Sequence, residues 1–269
     1  MQEFSVRTSH RPRPMPTGRW AVTQRWNDLL YAHWPVAADQ LTARLPAGLE
    51  ADTFEGKAWL GVVPFWMDRI KVRGIPPFPG VLNFPALNVR TYVREQRTGA
   101  TGVYFFSLDA SNLFAVGLAR VFYHLPCHWS QMQITQRAER EFSFYSRRRL
   151  TNPPAIFNVR YRGLGPTRKL AELRAGTLEH FLMERSSLFS RNHNGEPVRS
   201  NLHPVPWPLE EAEAEIEQNG LADAIGIKLP NQEPVLHYAR RLALYIWPAE
   251  RVRPLLATRP VTVAATPTG

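Results

Sequence analysis

The chain has a single cysteine, Cys127, so it cannot form a disulfide within itself. No apolar run approaches the ~20 residues that a helical membrane span needs. The first eighteen residues contain arginines and prolines but no apolar segment of the ~7–15 residues found in secretory signals. Together these absences predict a cytoplasmic protein in a reducing setting, with no membrane partner.

Lysine is also scarce: only four of the 33 basic residues are lysines. The net charge is +10, so binding to nucleic acid has to be considered. The sequence contains no helix-turn-helix, zinc-finger or RNP pattern, and the densest basic run, residues 147–149, is typical of a solvated turn at a strand end. We therefore expect no specific nucleic-acid partner, only weak and salt-dependent binding.

Alternating apolar residues dominate the chain, which is long enough to bury a substantial core at 269 residues and 44% hydrophobic composition. This period of two predicts many strands. They cover residues 59–65, 88–93, 102–108, 131–137, 141–147, 156–161 and 235–247.

Four helices are predicted, over residues 38–45, 112–123, 177–189 and 208–219. Thr177 is the expected N-cap of the third, and the fourth has Pro208 at its start and Gly220 just past its end. Residues 1–18 are predicted to be a disordered basic arm and 251–269 a disordered tail. A single domain over 19–250 lies between them. Many antiparallel strands with a few covering helices indicate a β-rich α+β fold, a curved sheet or closed barrel.

Several ordered blocks resemble one known family. They are residues 45–49 (LPAGL), 58–65 (AWLGVVPF), 88–93 (NVRTYV), 102–110 (GVYFFSLDA) and the Glu184-Arg185 pair. They are similar to the YqjF-like family, a bacterial family of unassigned function in the acetoacetate decarboxylase-like superfamily. The resemblance implies an antiparallel acetoacetate decarboxylase-like β-barrel around a central ligand cavity.

The resemblance also identifies a loop that has lost its catalytic residue type. Residues 122–128 (FYHLPCH) resemble the loop in which decarboxylases carry a Schiff-base lysine, but Cys127 and His128 stand at the lysine positions. Arg120 matches an arginine of an Arg-Glu pair, and Val121 replaces the acid. We therefore expect no imine chemistry, because neither thiol nor imidazole can form the imine.

Inward-pointing polar residues of a barrel are candidates for ligand binding. Asn88 and Arg90 share one parity on their strand, and Ser107 and Asp109 share one on theirs. Arg90 is predicted to hold a carboxylate, with Asn88, Ser107 and Arg120 as further ligand-binding residues. The alternative is that Arg90 and Asp109 form a structural ion pair, or that this parity faces solvent.

His128 and Glu184 are the predicted catalytic residues, as cavity groups able to transfer protons. Other interpretations have less support. A Cys127–His128 dyad is disfavoured because neighbours in a strand point to opposite sides. A metal site using His124 lacks a second paired spacing. No metal and no cofactor are predicted.

The predicted function is therefore that of an acetoacetate decarboxylase-like barrel that acts on, or binds, a small organic acid or carbonyl compound without a Schiff-base lysine. An enzyme of this kind would be lyase-like or hydrolase-like. The alternative is a binding or sensing barrel without turnover. Assembly into a homo-oligomer is left open by the sequence.

Overall fold

The computed structural model describes residues 14–76, 83–169, 173–205 and 208–252. Its strands are β1 Val22–Val36, β2 Leu49–Ala51, β3 Ala58–Val72, β4 Asn83–Glu95, β5 Thr101–Ala110, β6 Cys127–Ala138, β7 Glu141–Arg148, β8 Ile156–Gly163, β9 Arg168–Lys169, β10 Ser187–Arg191, β11 Pro197–Pro204, β12 Pro208–Asn219, β13 Val235–Ile246 and β14 Glu250–Arg251. The helices are α1 Ala38–Thr42, α2 Leu113–Tyr123, α3 Leu178–Met183 and α4 Leu221–Ala224. The predicted β-rich fold is confirmed.

The strands close a barrel of nine strands, in the order β5-β6-β7-β8-β12-β13-β1-β3-β4 and back to β5. Five neighbouring strands of this ring, β13-β1-β3-β4-β5, form what we call the shared sheet. At its two edges, β5 also pairs with β10 and β13 also pairs with β11, and β10 and β11 pair with each other. The shared sheet is therefore covered on both faces.

Alternation along each shared strand sends side chains to two different cores. On β1, Leu30 and Ala32 belong to the core inside the nine-strand barrel, together with Phe144 of β7. Residues of the opposite parity, such as Leu29 and Tyr31, belong to a second core under α3, β10 and β11. Each face of this sheet thus has its own set of neighbouring side chains. A polar side chain therefore meets different partners on the two faces.

The prediction of a helix over residues 208–219 is wrong, because these residues form strand β12. Alanine and glutamate favour helices, but the segment also alternates with a period of two. Ala214 packs against the barrel core, while Glu213 of the opposite parity bonds Arg162 on the neighbouring β8. Burial of one face and cross-strand pairing of the other override the local helix preference.

The other predicted helices are present, although two are shorter. In α2, the side chain of Asn112 caps the N-terminus by accepting from the Ala115 amide at 3.0 Å. In α3, Thr177 caps in the same way, with the His180 amide 3.3 Å from its hydroxyl. The third helix ends at Met183 rather than Phe189 because residues 187–191 pair with both β11 and β5.

The sheet continues beyond residue 250 at its C-terminal edge. Glu250 and Arg251 pair with β11, and Val252 is buried. The remainder of the predicted tail, residues 253–269, and residues 1–13 of the predicted arm lie outside the described residues. Within the described part of the chain, no helix combines the length and apolar character that a membrane crossing requires.

Candidate functional site

Three arginines are buried among the described residues: Arg90, Arg148 and Arg185, with 4–7% of their surfaces exposed. Arg148 binds both carboxylate oxygens of Asp109 at 3.0 Å. Arg185 binds Asp52 at 2.6 Å. Arg90 makes no ion pair with any residue that the structure describes. Since a buried guanidinium is costly without an anion, Arg90 is the exception that needs an explanation.

Arg90 lies among aromatic and polar side chains on the second-core face of the shared sheet. Its Nη2 donates to the hydroxyl of Tyr92 at 3.5 Å, and its Cζ lies 5.2 Å from the centre of the Tyr31 ring. The Tyr92 hydroxyl is 2.7 Å from Nε2 of His33. We call Tyr31, His33, Asn88, Arg90 and Tyr92 the Arg90 cluster.

The hydrogen bonds of this cluster assign the protonation of His33. A guanidinium only donates, so the Tyr92 oxygen accepts from Arg90. Among the described residues, Nε2 of His33 is the one acceptor in reach of the Tyr92 hydroxyl, so we assign the Tyr92 hydrogen to that contact. The imidazole hydrogen then lies on Nδ1. Burial, with the positive charge of Arg90, holds the pKa of His33 well below its usual value. His33 is therefore neutral and offers a donor at Nδ1.

Several polar atoms of the cluster have no hydrogen-bond partner among the described residues. They are His33 Nδ1, Arg90 Nε and both side-chain atoms of Asn88. All three residues are buried, with Asn88 and His33 at 0% exposure. Buried polar groups in folded proteins are nearly always satisfied, so these atoms need hydrogen-bond partners that the described residues do not supply. These atoms are mostly donors, which suits an oxygen-rich ligand.

Gly61 makes room for the cluster. It pairs with Arg90 on one side and with His33 on the other. A Cβ atom at this position would lie 2.9 Å from Cδ2 of His33 and 3.4 Å from Cγ of Arg90. The glycine therefore allows both side chains to approach the same part of the sheet.

Two further polar contacts frame the Arg90 cluster. The guanidinium of Arg185, already held by Asp52, lies over the Tyr92 ring at 4.9 Å. His237, which pairs with Tyr31 in the sheet, is 3.4 Å from Glu179 through its Nε2. Burial lowers the pKa of His237, although Glu179 opposes this. The carboxylates of Asp52 and Glu179 are thus already paired with Arg185 and Arg168.

The six site residues predicted from sequence fall into different places. Asn88 and Arg90 share one face of β4, in the Arg90 cluster. Ser107 lies on the other face of the shared sheet, where its hydroxyl accepts from Arg148 at 3.0 Å. His128 pairs with Asp109 in the β5–β6 register, and burial, with Arg148 and Arg120 nearby, lowers the pKa of His128 to about 4.

Arg120 and Cys127 lie at the junction between α2 and β6. Nε of Arg120 donates to the backbone carbonyl of Cys127 at 2.8 Å, which fixes the start of the strand. Cys127 points into the second core, and burial raises the pKa of its thiol to about 12. Its neighbour His128 points the other way, so the two side chains do not form a dyad.

The remaining candidates are placed as follows. Glu184 is buried at the C-terminal end of α3, with 8% exposure. Lys57, Lys71 and Lys228 are exposed. His124 lies beside His193, with 6.1 Å between the ring centres. Within the described ranges, no three His, Cys, Asp or Glu side chains are grouped closely enough to hold a metal ion.

Sequence reasoning missed His33, Tyr31 and Tyr92 as members of the cluster. The parity of β4 would have found Tyr92, which follows Arg90 by two residues. His33 and Tyr31 could be found only after β1 was known to lie beside β3, since nothing in the local sequence relates residue 33 to residue 90.

Solved structures with the same architecture come from two groups of enzymes. The enduracididine biosynthesis enzyme MppR, solved in complex with pyruvate, aligns with a TM-score of 0.59 over 87% of this chain and 91% of its own, at 10% identity. An acetoacetate decarboxylase-like enzyme from Sphingomonas wittichii RW1 aligns with a TM-score of 0.59 over 90% and 97%, at 14% identity. Acetoacetate decarboxylase from Legionella pneumophila gives 0.58 over 93% and 94%, at 13% identity. At these identities the likeness shows the fold alone.

Sequence comparisons give a closer relationship. The uncharacterized protein YqjF of Bacillus subtilis strain 168 is 38% identical over 237 residues, which make up 88% of this chain and 95% of YqjF. The model of the DUF2071 family, described as an uncharacterized conserved protein, matches residues 23–243. The chain therefore belongs to the DUF2071 family, with YqjF as a relative and the acetoacetate decarboxylase-like barrel as its fold.

Proposed function

We propose that the protein binds a small organic acid at the Arg90 cluster, with the ligand carboxylate against Arg90. The observation that supports this most directly is the contrast among the buried arginines. Arg148 and Arg185 each have a carboxylate from the protein, whereas Arg90 has none among the described residues. A ligand carboxylate would supply the missing anion.

The surrounding atoms favour an acceptor-rich ligand over an ammonium or a metal ion. Nδ1 of His33 and Nε of Arg90 both carry hydrogens, and Asn88 offers one donor and one acceptor. A carboxylate with a nearby carbonyl or hydroxyl oxygen matches this set. The MppR structure with pyruvate shows that a protein of this fold takes a small oxo acid, which is consistent with the proposal.

Any turnover would proceed by proton transfer rather than through an imine. Schiff-base catalysis needs a neutral amine at the substrate carbonyl. Lys57, Lys71 and Lys228 are exposed, and Cys127 and His128 stand at the positions that the sequence resemblance gives to the lysines. The Tyr92–His33 hydrogen bond joins a hydroxyl to a neutral imidazole inside the cluster, a pair that can donate and accept a proton. A barrel that only binds or senses the ligand is the alternative, in which this pair would serve to position the ligand.

The test measures the binding of small carboxylates, with pyruvate and acetate as probes, by thermal shift and by calorimetry. Arg90→Leu is expected to lower pyruvate affinity at least about tenfold, because a charge-assisted contact is lost. Arg162→Leu is the control, since this arginine is exposed on β8. Unchanged pyruvate affinity in Arg90→Leu would contradict the proposal.

Turnover is tested separately, by borohydride reduction in the presence of acetoacetate and measurement of the intact mass. We expect no covalent adduct. An adduct that maps to a lysine, with loss of activity, would show imine chemistry and overturn this part of the proposal. A cytoplasmic location and the lack of a specific nucleic-acid partner stay predictions of the sequence.

A further inference from the structure

A separate cleft of about 200 Å³ opens between the β6–β7 turn and the paired strands β1 and β13. The charged and hydroxyl side chains that line it are Asp28, Glu139, Arg140, Tyr238, Arg240 and Arg241. None of these residues belongs to the Arg90 cluster. The cleft carries charges of both signs and is open to solvent.

A break in strand alternation creates this cleft. On β1, Trp26 and Leu29 lie in the same core although they are three residues apart, and on β13 the same is true of Ala239 and Leu242. Asp28 lies in the break, with a φ of 53° in the left-handed region. Aspartate tolerates this conformation better than most residues. The break turns Asp28 and the opposite arginines toward the cleft.

Two buried tyrosines hold Asp28 in place. The Tyr238 hydroxyl donates to Oδ1 of Asp28 at 2.8 Å, and the Tyr161 hydroxyl donates to the backbone carbonyl of Asp28 at 2.6 Å. Burial raises the pKa of Asp28, while Tyr238, Arg240 and Arg241 oppose the shift. Oδ2 of Asp28 makes no hydrogen bond with a described residue. One carboxylate oxygen is therefore fixed and the other is available.

Apart from Arg140, the charges around the cleft are balanced, two carboxylates and two guanidiniums, and they are not paired with one another. Arg140 is held by Glu210 at 3.3 Å. In the described part of the chain, Asp28, Glu139, Arg240 and Arg241 make no ion pair within 4.0 Å. Asp28, Glu139, Arg240 and Arg241 therefore line the cleft without a direct ion pair.

We propose that this cleft binds a small zwitterion, the chemical class of free amino acids, with the ligand ammonium at Asp28 and its carboxylate at Arg240 and Arg241. A simple anion would satisfy the arginines but would place a second negative charge beside Asp28. A simple cation would satisfy Asp28 but would place a further positive charge beside Arg240 and Arg241. A ligand with both charges satisfies both sides of the cleft.

The test compares L-alanine with its two halves, propionate and ethylamine, by calorimetry on the full chain. All titrations use the Arg90→Leu background, so that carboxylate binding at the Arg90 cluster does not contribute. We expect alanine to bind at least about tenfold more tightly than either half, because only alanine makes both charged contacts.

Asp28→Asn is the decisive variant. Asparagine tolerates the left-handed backbone and still accepts from Tyr238, so the cleft should keep its shape. We expect this change to lower alanine affinity at least about tenfold and to leave propionate affinity unchanged or higher. Arg162→Leu in the same background is the control for surface charge.

Three results would overturn the proposal: no saturable binding of alanine, propionate binding as tight as alanine, or alanine affinity that survives Asp28→Asn. The second result would indicate an anion site instead. Because Arg90 is already removed in this background, none of these results bears on the function proposed for the Arg90 cluster.

Discussion

The two faces of the shared sheet give a buried arginine different partners. Inside the nine-strand barrel, Arg148 has Asp109 and Ser107 around it, and every contact is supplied by the protein. On the other face, Arg90 has aromatic rings and a hydroxyl but no carboxylate among the described residues. The first arrangement stabilises the fold. The second leaves Arg90 without a carboxylate from the described residues, which is why we propose a ligand anion there.

The largest expected loss of stability is for a change to the Asp109–Arg148 ion pair inside the nine-strand barrel. Asp109→Asn should lower the free energy of unfolding by about 3–5 kcal/mol, because it leaves Arg148 buried without its anion. Arg90→Leu should change it by less than about 1 kcal/mol, since mainly a weak cation–π contact with Tyr31 is lost. Urea denaturation of both variants without ligand measures the difference.

An Arg90→Leu variant that loses as much stability as Asp109→Asn would break the comparison. Such a result would mean that Arg90 has a structural partner after all.

A smaller effect is expected for Gly61→Ala. The added Cβ would lie 2.9 Å from Cδ2 of His33, so the ring has to move and the His33–Tyr92 hydrogen bond is strained. We expect a loss of about 1–3 kcal/mol together with weaker pyruvate binding. Gly117→Ala is the control, because nothing lies within 4 Å of its Cβ position on α2 and alanine favours a helix. Equal behaviour of the two variants would contradict the close approach at Gly61.

The neutral state of His33 predicts a dependence of stability on pH. Folding depresses the pKa of His33 well below 6.5, so below that pH the unfolded chain binds a proton that the folded chain does not. Stability should therefore fall as the pH falls below 6.5. His33→Phe should reduce this slope by about 1.4 kcal/mol per pH unit.

Burial also lowers the pKa of His128 and His237, so part of the slope should persist in the His33 variant. Denaturant titrations between neutral and mildly acidic pH measure it, with the exposed His193→Gln as the control. An unchanged slope in His33→Phe would show that His33 is already protonated in the fold.

The smallest change in stability is expected when a solvent-exposed arginine is replaced. Arg162 and Glu213 form a cross-strand ion pair with both side chains more than half exposed. Arg162→Ala should change the free energy of unfolding by less than about 1 kcal/mol. A loss of stability comparable to that of Asp109→Asn would show that burial does not explain the difference between the Arg162–Glu213 and Arg148–Asp109 ion pairs.

Much of the fold follows from local patterns. The alternating runs of β3 to β8 and β13 and the capped helices α2 and α3 overlap the segments that the sequence predicts, although β3 and β4 are longer and α3 ends at Met183 rather than Phe189. Segment 208–219 shows the limit, since helix propensity and strand periodicity disagree there. Only the neighbouring strand β8, with Arg160 and Arg162 facing the glutamates, resolves the conflict.

The site shows the same limit more strongly. Parity along β4 places Asn88 and Arg90 on one face, as the sequence predicts. The parity of Ser107 and Asp109 is equally regular, but a register shift between Val89 and Arg90 changes how β5 aligns with β4. Alternation within a strand fixes which residues share a face. It does not fix which of two cores that face meets.

The sequence by itself determined the strand-rich architecture, the family, and the loss of a lysine from the loop before β6. These depend on local periodicity and on residue types at fixed positions. Only the tertiary structure decided which buried charges are satisfied. Asp109 and Arg148 are 39 residues apart, and His33 and Tyr92 are 59 apart. Such pairs depend on strand order and register, which come from closing the sheet on itself and burying both of its faces.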